Sequence, residues 1–509
     1  MDMHDREHKV GIPSIMLGVA LLLPLTFIIR HLTHHEFFGF QDEGDLLTFP
    51  DLILRGYHPY VDFNPSYSPG NFYVLAVIYR IFGESVFVER VTSAVYWFLT
   101  IFALFLIGLR VSRATAFLTG LTAVGYMSLF TSPGAHAHFV AYATTLFALL
   151  LVSKTAERDL ESGRKFAFLA GVLVGATGWF KQDIGIMALV SAITGFTSME
   201  FRRLGRFFAG LALPACAMLA FGIFVGPGNL IDGLVVDLLR MEPGRVVPVE
   251  LNLTSVVLSI YTAINVGGAL ITSTVGVPRH LNCLLRSIAA LSVSLAIGAL
   301  HRLGPTDISY LGTIVVSLAL VTLRIALIPW GYSRNRIATI SVMGFLAGLS
   351  PIFLVHHIYY SDATPVPTAL VFSEGRTVPW GLFDDSDGSP QPIMDKINEL
   401  SKAGQKLFVG SSDLRFANNN DVVFYYLLPK LRPASRYIEM NPGSANRADS
   451  GLAADVFGAD WVILTSQFIH SEEPNGSAIP GSPAPNEVIR SHFCVRSRHA
   501  YWQLLEHCS

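Results

Sequence analysis

Long apolar segments alternate with short polar segments along most of the chain. A bilayer-spanning helix needs about 17–25 mostly apolar residues, and about eleven segments meet this length. They fall at residues 12–30, 89–109, 114–131, 137–153, 166–181, 184–200, 207–226, 252–273, 286–301, 308–330 and 337–358. The pattern predicts a polytopic α-helical membrane protein whose transmembrane domain covers residues 1–358.

The polar segment between the first two spans, residues 31–88, contains a first amphipathic stretch, "DLLTFPDLILRGY". Helical spacing places apolar side chains on one face and acidic side chains on the other. The apolar face carries Leu46, Phe49, Ile53 and Tyr57. We expect a helix lying in the membrane interface, with Asp51 on its solvated face.

The same segment contains a second apolar stretch, "NFYVLAVIYRIFG", which is too short to span a bilayer. It is also predicted to be an interfacial helix. Glycine commonly follows the last turn of a helix, so Gly56 and Gly83 are expected to end the two helices.

After residue 358 the apolar runs shorten, and Pro, Ser, Asn and Asp become frequent. Residues 361–392 have the composition of a loop-rich lead-in. Predicted helices and strands then alternate: helix 393–404, strand 406–411, helix 420–429, strand 436–440, helix 447–458 and strand 461–466. Loop 471–486 follows, and then a closing hairpin at 493–506. The alternation predicts a small α/β domain with parallel strand pairing over residues 359–509.

Composition agrees with a membrane location. Of the 509 residues, 51% are hydrophobic and 15% are charged, whereas soluble domains carry about 25% charged residues. The net charge of −2 gives no sign of nucleic-acid binding.

Basic residues in the short loops indicate the orientation of the chain, because cytoplasmic loops are enriched in Lys and Arg. Loops rich in Lys and Arg alternate with loops that are nearly free of them, so the basic loops share one side of the membrane. Their basic residues are Arg110, Arg113, Lys154, Arg158, Arg164, Lys165, Arg202, Arg203, Arg206, Arg279, Arg286, Arg334 and Arg336. The N-terminus is therefore predicted to be cytoplasmic. Segment 31–88 and everything after residue 358 are predicted to be extracytoplasmic.

The four cysteines, Cys216, Cys283, Cys494 and Cys508, are too few and too scattered for a disulfide framework or a zinc site. Cys494 and Cys508 flank the predicted hairpin in the extracytoplasmic domain. Cysteine pairs in that compartment tend to oxidise, so we expect a disulfide between them.

Asp42 and Glu43 follow the first span and precede the first interfacial helix. Carboxylates in partly apolar surroundings can act as a general base or bind a divalent cation such as Mg²⁺ or Mn²⁺. The alternative is a solvated pair of loop acids.

Further polar residues are predicted on the same outer face. Lys181 and Asp183 lie between the fifth and sixth spans, where a charged side chain is a functional candidate. The alternative is a hairpin turn with snorkelling side chains. Asp62, among Pro and Tyr residues, could line a sugar site or cap an Asx turn.

His136 and His138, between the third and fourth spans, could face a phosphate or a sugar hydroxyl. At this spacing on a helix their side chains point apart, so we do not expect a metal site built from both. Arg90, Arg240 and Arg245 are candidate phosphate ligands, because the guanidinium group binds oxyanions with two hydrogen bonds.

Several of these motifs together resemble the GT-C superfamily of polytopic glycosyltransferases. They are "DE" after the first span, "RGYHPYVDF", "PSYSPGNFYVLAVIYRIFG", Arg90 and "FKQDIG". The pattern is most similar to the branch of protein O-mannosyltransferases and aminoarabinose transferases. In that family the first outer loop holds two interfacial helices and a catalytic acid. The resemblance implies that Asp42 is this acid, Glu43 its neighbour, and Lys181 and Gln182 donor contacts.

The resemblance implies an inverting glycosyltransferase that uses a polyprenyl-phosphate sugar donor and a cell-envelope acceptor among the membrane lipids. A competing class is a transporter or flippase of lipid-linked sugars, and another is a membrane receptor. A transporter typically shows matched repeats with broken helices at mid-membrane, whereas the polar clusters here lie at one face.

Overall fold

The computed structural model describes residues 12–33, 42–129, 134–197, 199, 201–245, 253–299, 308–330, 340, 342–349, 368–381, 388–417, 420–466 and 480–508. Its first part is helical. In chain order the helices are α1 (Ile12–Thr33), α2 (Asp42–Leu54), α3 (Gly70–Phe82), α4 (Val86–Leu109), α5 (Arg113–Met127), α6 (Ala137–Glu157), α7 (Leu160–Phe180), α8 (Gln182–Phe196), α9 (Phe201–Val225), α10 (Pro227–Ile231), α11 (Asp237–Arg245), α12 (Leu253–Thr274), α13 (Arg279–Ala299) and α14 (Ile308–Ala326).

Each predicted span from 12–30 to 308–330 coincides with one of these helices. Among the described residues, five helices are long and apolar enough to cross a membrane: α4, α6, α9, α12 and α13. The chain is therefore a multi-pass membrane protein. The predicted total of about eleven spans is not confirmed, because α8 and α14 are shorter apolar helices and most of span 337–358 lies outside the described residues.

The C-terminal part contains two sheets. The hairpin of β1 (Thr368–Ser373) and β2 (Arg376–Gly381) is antiparallel. A five-stranded sheet has the order β4-β3-β5-β7-β6, with parallel pairing of β3 to β4 and β5. Its strands are β3 (Lys406–Ser411), β4 (Arg432–Pro433), β5 (Trp461–Thr465), β6 (Phe493–His499) and β7 (Trp502–His507). The helices α15 (Gln391–Leu400), α16 (Val423–Leu427), α17 (Leu452–Phe457) and α18 (Ala484–His492) accompany it.

The predicted α/β character and the closing hairpin are thus confirmed. We call this part, residues 368–508, the sheet domain. The domain boundary near residue 358 stays a prediction, because residues 350–367 lie outside the described part of the chain.

Three sequence predictions in this region were wrong. The lead-in predicted as loop contains the β1–β2 hairpin, and α18 begins within the predicted loop 471–486. Segment 436–440 is not a strand. Met440 has a φ of 54°, which a strand does not accommodate, and Glu439 bonds to Ser66 of the first outer segment.

The helices predicted in segment 31–88 are present as α2 and α3. Gly56 and Gly83 follow them with φ of 92° and 90°, a conformation that glycine adopts without steric cost. The prediction that they end the two helices is confirmed.

The predicted solvated face of α2 was wrong. Every residue from Glu43 to Leu52 is buried, because α16 of the sheet domain packs on α2 in addition to α3 and α4. The Thr48 hydroxyl donates to the carbonyl of Val422 over 3.1 Å, and a Cβ at Gly44 would lie 3.0 Å from the Val423 nitrogen. Helix α2 is therefore an internal layer between the membrane helices and the sheet domain.

Candidate active site

The acidic residues of α2 differ sharply in exposure. Asp42 is exposed, whereas Glu43, Asp45 and Asp51 are buried. Asp42 is also the first residue of the helix, where the partial positive charge of the helix end favours an ionised carboxylate. Of the four α2 acids, Asp42 alone can meet a substrate from solvent.

Glu43 is bound by Arg90 of α4. The Arg90 Nε lies 2.8 Å from Glu43 Oε1, and its Nη2 lies 3.3 Å from Oε2. This two-point ion pair has a fully buried carboxylate and a guanidinium side chain that is 21% exposed. It fixes the first turn of α2 against α4.

A short segment before α6 is held between α2, α3 and α4. The amide of Ala135 donates to the buried Glu89 carboxylate, Asn71 donates to the Ala135 carbonyl over 2.9 Å, and Ser93 donates to the Gly134 carbonyl over 2.7 Å. A Cβ at Gly134 would come within 2.6 Å of Leu46. The segment thereby brings the start of α6 next to α2.

His136 and His138 lie at this point. Their rings are stacked with centroids 5.3 Å apart, which contradicts the expectation that they point apart. The reason is that His136 precedes α6 in an extended conformation and is not part of the helix. Lys181 is near enough to act electrostatically on His138.

The corner between α7 and α8 consists of Lys181, which has extended backbone. Its ammonium lies 4.6 Å from the centre of the Tyr67 ring and 3.5 Å from Asp183. Gln182 accepts hydrogen bonds from the amide and the hydroxyl of Ser68, each over 3.1 Å. These contacts attach the corner to the first outer segment.

Asp62 caps a turn. Its carboxylate accepts from the His58 amide over 2.7 Å while the side chain is exposed. An Asx turn would have the carboxylate accept from the amide two residues later, so this turn is of a different kind. The sugar-site interpretation stays a prediction.

Of the two arginines of α11, Arg240 lies 3.5 Å from Asp237. Asp237 is buried and also accepts from Asn64. The side chain of Arg245 lies outside the described part of the chain.

A polar network that the sequence analysis missed joins the first outer segment to the sheet domain. Ser66 donates to Glu439 over 2.6 Å, and Asn441 donates to both of them. Nearby, Tyr60 donates to the Tyr67 carbonyl over 2.7 Å, and burial raises the pKa of Tyr60 well above its usual value. The sequence pattern could not predict these contacts of Ser66, because its partners lie more than 370 positions away in the chain.

Within the described residues, no group of three or more His, Cys, Asp or Glu side chains could hold a metal ion. Of the two predicted metal ligands, Glu43 is engaged by Arg90, and Asp42 is exposed. The arrangement is an accessible carboxylate at a helix end, with cationic and imidazole side chains on the elements around it.

No protein-family model and no curated protein sequence matches the chain. Solved structures do match its fold. A crystal structure of ArnT from Cupriavidus metallidurans bound to undecaprenyl phosphate aligns with 98% of this chain and 99% of its own, at 12% identity and a TM-score of 0.53.

A cryo-EM structure of the arabinofuranosyltransferase AftD from mycobacteria aligns with 98% of this chain and 40% of its own, at 14% identity and a TM-score of 0.53. The apo oligosaccharyltransferase of Archaeoglobus fulgidus aligns with 96% of this chain and 74% of its own, at 11% identity and a TM-score of 0.50. At these identities the likeness shows a common fold.

Proposed function

We propose that this chain, which has the GT-C fold, is a membrane glycosyltransferase. It moves a hexosyl or pentosyl group from a polyprenyl-phosphate carrier to a cell-envelope acceptor, which is a glycan, a lipid or a protein. The reaction takes place on the outer face of the membrane.

The observation that carries the proposal is the exposure of Asp42 among the buried acids of α2. A general base must reach the proton it removes. Asp42 takes the proton of an acceptor hydroxyl while the oxygen attacks the anomeric carbon. The bond from that carbon to the phosphate breaks, and polyprenyl phosphate leaves. Attack opposite the leaving group inverts the anomeric configuration.

The surrounding cations suit the leaving group. Negative charge develops on the phosphate as the bond breaks, and fixed cations stabilise it. Arg90 and Lys181 are anchored by Glu43 and Tyr67, so they are oriented before the donor binds. His136 and His138 lie on the adjoining segment as candidate contacts to phosphate or sugar hydroxyls.

A divalent cation is the alternative role of Asp42. Asp42 would then be its accessible protein ligand, since Glu43 is bound to Arg90, and phosphate oxygens of the donor would complete the shell, as is usual for Mg²⁺. In that case Asp42→Asn would weaken donor binding as well as turnover.

The donor class is supported by the ArnT structure, which was solved with undecaprenyl phosphate bound. The orientation is supported by the Cys494–Cys508 disulfide in the sheet domain, because disulfides persist in oxidising compartments.

The test uses purified protein in nanodiscs with polyprenyl-phosphate sugars from an envelope extract. The donors are first identified by deleting the gene and finding which lipid-linked sugar accumulates. We expect Asp42→Asn to lower turnover by about 10²–10⁴-fold with unchanged donor binding, because asparagine keeps the shape but cannot accept the proton. Asp449→Asn, at another exposed acid, is the matched control and should keep most of the turnover.

Full turnover by the Asp42→Asn protein contradicts the assignment and moves it to Asp62 or Asp183. A transporter is distinguished by its products. It moves the lipid-linked sugar across the bilayer intact, whereas the transferase releases free polyprenyl phosphate.

A further inference from the structure

A polar cavity lies away from Asp42, where the segment after α2 meets the sheet domain. Its volume is about 420 Å³, within the range of about 300–1,000 Å³ that small-ligand sites occupy. Three cationic side chains line it: Arg55, Lys430 and Arg432. The thirteen residues of α2, about 20 Å at 1.5 Å each, separate this basic cleft from Asp42.

Two of the cations are fixed in place. Arg55 donates to the Leu431 carbonyl over 2.6 Å and to Asp51 over 3.2 Å. Lys430 lies 3.0 Å from Glu374 and donates to the Asn398 carbonyl over 3.2 Å. Both side chains thus lose little conformational freedom when a ligand binds.

The third cation is uncommitted. The guanidinium of Arg432 is exposed and makes no hydrogen bond or ion pair with any described residue. Asp51 and Glu374 offset the charges of Arg55 and Lys430, so the charge of Arg432 remains. The basic cleft therefore has a net positive charge beside two oriented donors, which favours binding of an oxyanion.

The basic cleft lies close to the membrane surface. Tyr57 lines it, and the next residue, His58, packs edge-on against Phe224 with ring centroids 5.0 Å apart. Phe224 is in the last turn of the spanning helix α9 and is 65% exposed. The cleft therefore lies next to the end of a candidate spanning helix, where a lipid headgroup is a possible source of phosphate.

We propose that the basic cleft binds a phosphate ester. Arg432 supplies the free fork of donors that suits phosphate oxygens, and Arg55 and Lys430 complete the electropositive wall. The ester has two sources, the headgroup of an anionic phospholipid or a soluble phosphorylated molecule. This site is separate from the proposed transfer reaction and does not depend on it.

The experiment measures binding to the full-length protein in two arms, without any sugar transfer. In the first arm, protein in phosphatidylcholine nanodiscs is titrated with glycerol 3-phosphate by calorimetry. In the second arm, protein from membranes of equal parts phosphatidylcholine and phosphatidylglycerol is examined by native mass spectrometry for retained lipid. The variant is Arg432→Ala, and the control is Arg498→Ala, which removes another exposed arginine of the sheet domain.

We expect Arg432→Ala to weaken binding by about tenfold or more, since a hydrogen bond to a charged group contributes about 1.5–3 kcal/mol, and Arg498→Ala to leave it unchanged. Binding of glycerol 3-phosphate identifies the phosphate ester as sufficient. Binding in the lipid arm alone identifies a phospholipid headgroup. Absence of binding in both arms, or equal losses in the two variants, overturns the proposal.

Discussion

The acids of α2 show how surroundings assign different roles to one residue type. Asp42 is exposed at the helix start, Glu43 is paired with Arg90, and Asp51 is buried between two arginines. A buried carboxylate that keeps its charge needs such partners, because desolvation is costly. Only the exposed position at the helix end is left for chemistry on a substrate.

Asp51→Asn is expected to destabilise the protein, contrary to the mild effect that a solvated position predicts. Asp51 accepts from Arg376 over 2.7 Å and from Arg55 over 3.2 Å. Replacing its charge should lower the free energy of unfolding by about 2 kcal/mol. Asp449→Asn, at an exposed pair, should change it by less than about 1 kcal/mol. Denaturant unfolding in detergent measures both, and equal effects would contradict the structural assignment.

We expect Asp421 of the sheet domain to make the free energy of unfolding depend on pH. It is fully buried and accepts from Trp502 over 2.7 Å, and burial raises its pKa to about 7, against about 4 in an unfolded chain. Between these values the folded chain holds a proton that the unfolded chain releases. The contribution of Asp421 to the free energy of unfolding is therefore fully present below about pH 4 and is lost as the pH rises towards 7.

Asp421→Asn tests this dependence. Asparagine still accepts from Trp502 but does not titrate, so the variant should lose less stability than the parent between pH 5 and pH 8. Thermal unfolding followed by tryptophan fluorescence gives the comparison. An identical pH slope in both proteins would show that Asp421 is not the titrating group.

At the scale of elements, α2 connects the membrane helices to the sheet domain. Arg376 of β2 reaches Asp51 and, over 2.5 Å, Glu84 just before α4. Its guanidinium also lies 4.5 Å from the centre of the Tyr426 ring in α16. The position of Asp42 therefore depends on a domain that begins more than 300 residues later.

The disulfide across the closing hairpin is expected to stabilise the sheet domain. Cys494 and Cys508, which are 14 positions apart in sequence, form a disulfide with Cα atoms 5.4 Å apart. A loop of this length corresponds to about 3 kcal/mol of stabilisation in the chain-entropy description. Cys508→Ser should lower the unfolding free energy accordingly, while Cys216→Ser, at an exposed free thiol, should not. Free thiols at both positions in non-reduced peptides would contradict the pairing.

At the scale of the whole molecule, the proposed outer-face reaction requires a defined orientation. A reporter enzyme active only outside the cytoplasm should be active when fused after residue 358 and inactive when inserted at residues 154–165. The reason is the excess of Lys and Arg in the loops assigned to the cytoplasm. The reverse pattern would contradict the orientation and separate Asp42 from outer-face chemistry.

The sequence by itself determined the membrane class, the positions of the helices and much of the sheet domain. These depend on local signals: apolar run length, the short apolar runs of strands such as Lys406–Ser411, and glycine at Gly56 and Gly83. The motifs that resemble the GT-C superfamily also lie within the first 200 residues, and the structure has the fold that the resemblance implies.

The tertiary structure decided which polar residues meet. Whether Asp51 is solvated depends on α16, and the partners of Ser66 lie in the sheet domain. Likewise, the stacking of His136 on His138 depends on where α6 begins. Burial and ion pairing are set by contacts between segments far apart in the chain, and a local sequence pattern contains no information on those distances.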